Sequence, residues 1–143
     1  MEVLYDSPPL AISYDPAHEW LYVEWRGSHT AASALSGGEQ VLACLRQKPC
    51  HKMLNDNTLV TNDWEPAARW VGNDFYPELA DLQMRYVAWV CATNWSARKS
   101  METAMLFITT PTVVLKLFRK SENSRLDVML SLSKHLYRFI ERT

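Results

Sequence analysis

Arg85-Tyr86-Val87-Ala88-Trp89-Val90-Cys91 is a nearly continuous apolar run. A strand that shows one face to water alternates apolar and polar residues. One that does not alternate is covered on both faces, as in the centre of a parallel sheet. Helix-forming sequence flanks this run. Upstream, Trp64, Ala67, Ala68, Val71, Phe75 and Leu79 step by three and four, an amphipathic stripe. Asp63 is placed to cap that helix, Pro66 fits its first turn, and Pro77 implies a kink or break near Tyr76. Downstream, Asn94-Trp95-Ser96 reads as a loop before a helix at Ala97–Phe107, and Val113–Phe118 reads as a further strand.

Toward the N-terminus the pattern repeats. Leu10–Tyr14 and Trp20–Arg26 flank Asp15-Pro16-Ala17-His18 and predict a β-hairpin. Leu21, Val23 and Trp25 share one face of its second strand. Trp20, Tyr22 and Glu24 share the other, which is expected to be solvated or lightly covered. Thr30 is a candidate N-cap for a helix running to about Gln47, where Pro49 forbids continuation. Gly37-Gly38 interrupts its apolar spacing, which either close packing against the sheet or a bound ligand explains. His51–Asn57 reads as a buried strand running into the polar loop Asn55-Asp56-Asn57-Thr58, and Ser121–Arg142 as a closing helix. The expected order is β-β-α-β-α-β-α-β-α. It makes one α/β domain over residues 1–143, with a mostly parallel sheet and an N-terminal antiparallel hairpin.

Composition limits the function classes. The 143 residues are 48% hydrophobic, 11% aromatic and 22% charged, which is globular. A formal net charge of −1 gives no field to gather nucleic acid or an anionic membrane. No apolar run approaches the ~20 residues of a membrane span, and the opening residues lack a basic-then-apolar leader. Cys44, Cys50 and Cys91 include no CxxC pair, so neither a disulfide framework nor a zinc site is expected. Cys91 is expected buried, Cys50 exposed, and the compartment reducing and cytoplasmic. GxGxxG, GxxxxGK[ST], HExxH and GxSxG are all absent, and no cofactor, metal or catalytic constellation is expected.

Parallel sheets place ligand and partner sites at the carboxyl ends of their strands. Two segments fall there: Asn55-Asp56-Asn57-Thr58 and Asn94-Trp95. Asx side chains also tie down tight loops and cap helices, which accounts for the same residues without a ligand. Trp64 is expected in the core and Trp70 at its margin. Without a basic groove beside them, the tryptophans are not a nucleic-acid stacking platform.

The strings Met53-Leu54-Asn55-Asp56-Asn57, Trp64-Glu65-Pro66-Ala67-Ala68-Arg69-Trp70-Val71 and Tyr86-Val87-Ala88-Trp89-Val90 resemble a group of small bacterial proteins. That group is related to the SpoIIAA-like, or STAS, fold, and the resemblance spans roughly Leu10 to Phe118. It implies a non-enzymatic regulatory module that binds a protein partner or a second copy of itself. Antagonists in that family are switched by phosphorylation of a Ser at the start of the helix after the central strand. Asn57–Asp63 contains no Ser, so no phosphosite is carried over. Three functions follow as expectations. A protein-binding module, expected as a homodimer, needs an exposed apolar patch around Trp20, Tyr22 and Trp95. A small-ligand or lipid-binding domain needs an enclosed cavity walled by Trp64, Trp70, Phe75, Tyr76 and Trp95, with Asn55 or Asp56 orienting the ligand. An enzyme would use Asp56 as its base.

Overall fold

In a computed structural model that describes residues 1–119, an N-terminal antiparallel meander runs into a parallel sheet. The strands are β1 (Glu2–Ser7), β2 (Leu10–Asp15), β3 (Trp20–Gly27), β4 (Lys52–Val60), β5 (Tyr86–Val90) and β6 (Val114–Phe118). They lie side by side in chain order. β1, β2 and β3 pair antiparallel, and β3 through β6 pair parallel. The α/β class and the mixed sheet agree with the sequence reading. The expected closing helix at Ser121–Arg142 lies outside the described residues.

β1 is an addition to the expected order. Pro8-Pro9 punctuates the chain so firmly that Glu2–Ser7 does not read as a strand, yet Ser7 pairs with Leu10 across that turn. As an edge strand β1 needs only one hydrogen-bonding side.

α1 (Ala31–Gln47) starts where expected. Thr30 and Ser33 form a reciprocal capping box, each side chain accepting from the other's backbone N–H. After β4 comes one winding segment of several helical types. A 3-10 turn (Glu65–Ala67) leads into α2 (Ala68–Trp70), a π-turn (Val71–Phe75) and α3 (Tyr76–Asp81). Pro77 has no N–H and would crowd the carbonyl of Asn73 in a regular helix. The ladder answers one residue earlier: Tyr76 N–H donates five residues back, to Val71. The break expected near Tyr76 is thus a π-turn. α4 (Trp95–Phe107) begins two residues earlier than expected, because Asn94 caps it by accepting from Ala97 N–H at 3.0 Å.

The described helices share one side of the sheet. There Leu21, Val23, Met53 and Val87 meet Val41, Leu42, Leu45, Phe75, Tyr76 and Leu79. Correcting the expectation of a solvated face, Trp20 and Tyr22 are each only 3% exposed. They cluster with Leu54, Ala88 and Val90, so the far side of the sheet carries an apolar layer of its own. The lack of alternation in β5 already required that layer, and β3 inherits it as a near neighbour. Cys50, expected exposed, is buried at 7%. Cys44 and Cys91 are buried too, and all three thiols are free. No described helix is long and apolar enough to cross a membrane.

One side chain joins the two loops above the sheet. Asn62 accepts from His29 N–H at 2.7 Å and donates to His29 C=O at 2.8 Å, imitating a strand pairing. At a net of about 0.5–1.5 kcal/mol per hydrogen bond, Asn62→Ala is expected to cost about 1–3 kcal/mol. A lowered urea midpoint with an unchanged slope would report it; an unchanged midpoint would show the clip to be idle.

Candidate functional site

Between the sheet and its helices, near the carboxyl ends of β3, β4 and β5, lies a cavity of about 50 Å³. Its floor comes from the strands. Asn55 pairs in register with Val23 on one side and Trp89 on the other, so all three point to the helix side. β3 and β4 then lose register: Glu24 faces Asp56 while Arg26 faces Leu59, leaving Asn57 and Thr58 opposite Trp25 alone. Alternation puts Asn57 on the same face as Asn55, toward the cavity, just where the bulge begins. Trp25 Nε1 donates to Asn55 Oδ1 at 2.8 Å, which fixes both side chains.

The walls are aromatic. Trp64 lies 6.2 Å from Trp89, Trp89 lies 6.3 Å from Tyr76, and Tyr76 meets Phe75 edge-on at 6.0 Å. Phe75 stacks on Trp70 at 5.5 Å, which completes an unbroken chain of rings. Trp64 is held from outside this chain. Its backbone N–H donates to Ser100 Oγ at 3.0 Å, and that hydroxyl donates to Asp63 at 2.7 Å. The Ser100 bond, with a second from Glu65 N–H, holds the Asp63 carboxyl below the usual carboxylate range.

Gly37 and Gly38 now have a reason. A Cβ on Gly37 would overlap the Trp25 indole, and one on Gly38 would overlap the Trp70 indole. The glycines are a close-packing device, and what they seat are two rings of the cavity wall. Gly72 serves a third contact, lying against the backbone and Cβ of Phe107 at the end of α4.

Polar chemistry inside is sparse and unsatisfied. Among the described residues, four buried side-chain atoms have no hydrogen-bond partner: Asn57 Oδ1, Trp64 Nε1, Tyr76 Oη and Trp89 Nε1. All four belong to side chains that line this one cavity. Burial pushes the Tyr76 hydroxyl far above the ordinary phenol range, so it stays protonated.

Among the described residues, His29 is the one lining group that titrates near neutrality. Its Nε2 lies 3.1 Å from Arg26 C=O, which only accepts, so Nε2 carries the proton and Nδ1 faces Ser33 Oγ at 3.2 Å. Burial lowers its basicity, against a partial offset from its carbonyl contacts. The unfolded chain therefore takes up a proton first. The stabilisation is complete above the ordinary histidine value of about 6.5 and is lost as pH falls below it. Urea unfolding at pH 7.5 and pH 5 is expected to show a smaller loss for His29→Gln than for the parent. Equal losses would remove His29 from the account.

The eight candidate residues divide evenly. Asn55, Asn57, Trp64 and Trp70 line the cavity. Asp56, Thr58, Asn94 and Trp95 do not. Asn55-Asp56-Asn57-Thr58 is not a loop but part of β4, and strand alternation turns Asp56 to the opposite face. There Asp56 accepts from Tyr22 Oη at 2.9 Å and from Thr58 N–H at 2.9 Å, so it cannot orient a ligand in the cavity. Asn94 is spent on capping. Trp95 is 71% exposed under Lys99 and walls nothing. The sequence reading missed Trp25, His29 and Trp89 as lining residues. For the two tryptophans the signal was register: once Asn55 points to the helices, its neighbour Trp89 and the same-face Trp25 follow. No group of three or more His, Cys, Asp or Glu that could hold a metal ion occurs among the described residues.

No protein-family model matches the chain, and no curated protein or solved structure does either.

Proposed function

We propose that the protein is a non-catalytic binding domain whose cavity beneath the carboxyl ends of β3–β5 takes a small molecule. The observation that carries this reading is the convergence of four unpartnered buried polar atoms on one aromatic-walled cavity. Each such group costs about 1–3 kcal/mol when left unsatisfied. Several of them together call for a partner inside the cavity, a role that a small bound molecule fills. The same proposal takes the sheet to be of SpoIIAA-like type, supported by the antiparallel start and the serial parallel order. Three free, buried thiols fit a reducing compartment. A regulatory protein–protein role is the second reading; Trp95, with Leu59 at 49% exposure, favours it, because Thr93 Oγ1 bonds Thr58 C=O and holds their two segments together.

The test separates folding from binding. Tyr76→Phe removes a hydroxyl that holds nothing, so unfolding free energy is expected to stay level or rise by up to about 1 kcal/mol. Asn57→Leu is expected to behave alike. A native mass spectrum of the gently purified parent is expected to carry a non-covalent mass increment that both variants lose. A bare parent spectrum, or clear destabilisation by Tyr76→Phe, would count against the cavity as a binding site.

A further inference from the structure

The hydrogen-bonding groups and the charge around the cavity define the chemistry of what it accepts. Trp64 Nε1 and Trp89 Nε1 are donors only, Asn57 Oδ1 is an acceptor, and the Tyr76 hydroxyl serves either way. Among the described residues, no Lys, Arg, Asp or Glu side chain lines the cavity, and burial biases the lining histidine, His29, toward neutrality. An anion would satisfy the indoles, but it would be buried without a counter-charge, and that desolvation is far more costly than burying a neutral dipole. A hydrocarbon would avoid the charge cost and leave all four polar atoms unpaired. Only an uncharged group presenting both acceptor and donor edges meets both conditions. The walls add shape: rings that stack and meet edge-on leave slots suited to planar groups.

Resting on the cavity reading above, we infer that the ligand is a neutral, planar heterocycle or cyclic amide. Its acceptor edge engages the Trp64 and Trp89 indole N–H groups and its donor faces Asn57. A space of about 50 Å³ is a third of the roughly 150 Å³ that encloses benzene. The interior therefore holds the hydrogen-bonding edge or a five-membered ring, and any larger body extends past Trp70, the half-buried ring of the chain.

Three small probes separate the possibilities in full-length, 15N-labelled protein: pyrazole, neutral with adjacent donor and acceptor; cyclopentane, an apolar ring of the same atom count; and formate, an anion small enough to enter. Indole N–H signals in a proton–nitrogen correlation spectrum are the readout. Pyrazole is expected to move two of the six tryptophan indole signals downfield, saturably, and to bind at least tenfold more tightly than cyclopentane or formate. Asn57→Leu and Tyr76→Phe, both expected to fold, are expected to weaken pyrazole at least fivefold and to leave cyclopentane unchanged. Cyclopentane binding as tightly as pyrazole would overturn the ligand class while leaving the cavity reading intact. Formate binding most tightly would overturn the neutrality argument alone. If no probe moves an indole signal, the cavity reading itself fails, and the ligand class with it.

Discussion

Gly72→Ala is expected to lower the melting temperature by about 10 °C, as judged by circular dichroism or calorimetry. A methyl group there would overlap the Phe107 carbonyl and Cβ, and backbone at a helix end cannot rotate aside as a side chain can. Overpacking of this kind costs about 1–3 kcal/mol, with the upper end reached where nothing can yield, and each kcal/mol shifts the melting point of a domain this size by a few degrees. Gly38→Ala is the internal control. Its methyl would meet the far end of the half-buried Trp70 side chain, which yields more readily than backbone, so the melting point is expected to fall by less than half as much. Equal effects at the two positions would show that the π-turn and α4 are not rigidly docked.

The second large effect is at the centre of the ring chain. Trp89→Ala is expected to cost about 3–5 kcal/mol, a large part of the 5–15 kcal/mol that holds a typical domain together. Trp89 is 2% exposed, contacts Trp64 and Tyr76, and stands on a central strand with neighbours on both sides. Its removal leaves a cavity between Trp64 and Tyr76. Trp70→Ala, at the margin, is expected to cost about half as much. Urea midpoints for the two variants compare them directly. A Trp89 variant as stable as the Trp70 variant would mean that the rings beneath rearrange, and that the cavity is soft.

Much of the fold was legible because each of its signals was local. Thr30 and Pro49 bracket α1, and the unbroken apolar run of β5 places that strand inside the sheet. Pro77 marks the turn of the second helical segment. What escaped depended on partners distant in sequence. The Asx run of β4 has loop-forming chemistry, and only its pairing with β3 and β5, together with Trp25 and Tyr22 as hydrogen-bond donors, makes it a strand. The site was half legible for the same reason. Asn55 and Asn57 were singled out for their chemistry, but the pairing of β4 with β3 and β5 decides which neighbours join them. Asp56, the most chemically suggestive of the four, is turned away by simple alternation.

The serial order of the strands has a consequence for how this chain comes together. Each described strand is bonded, among the described residues, only to the ones before and after it in the sequence, so none of them has to be slipped between two that are already joined. The sheet can grow by accretion as the chain leaves the ribosome. The β1–β3 meander is available first, and each later βα unit is laid against a finished edge. Contacts between neighbours in the chain close small loops, which favours quick assembly with few long waits for distant partners. The cavity draws on β3, β4 and β5 together, so it is completed only when the fifth strand arrives. Ligand binding would thus report that the central part of this protein is fully assembled.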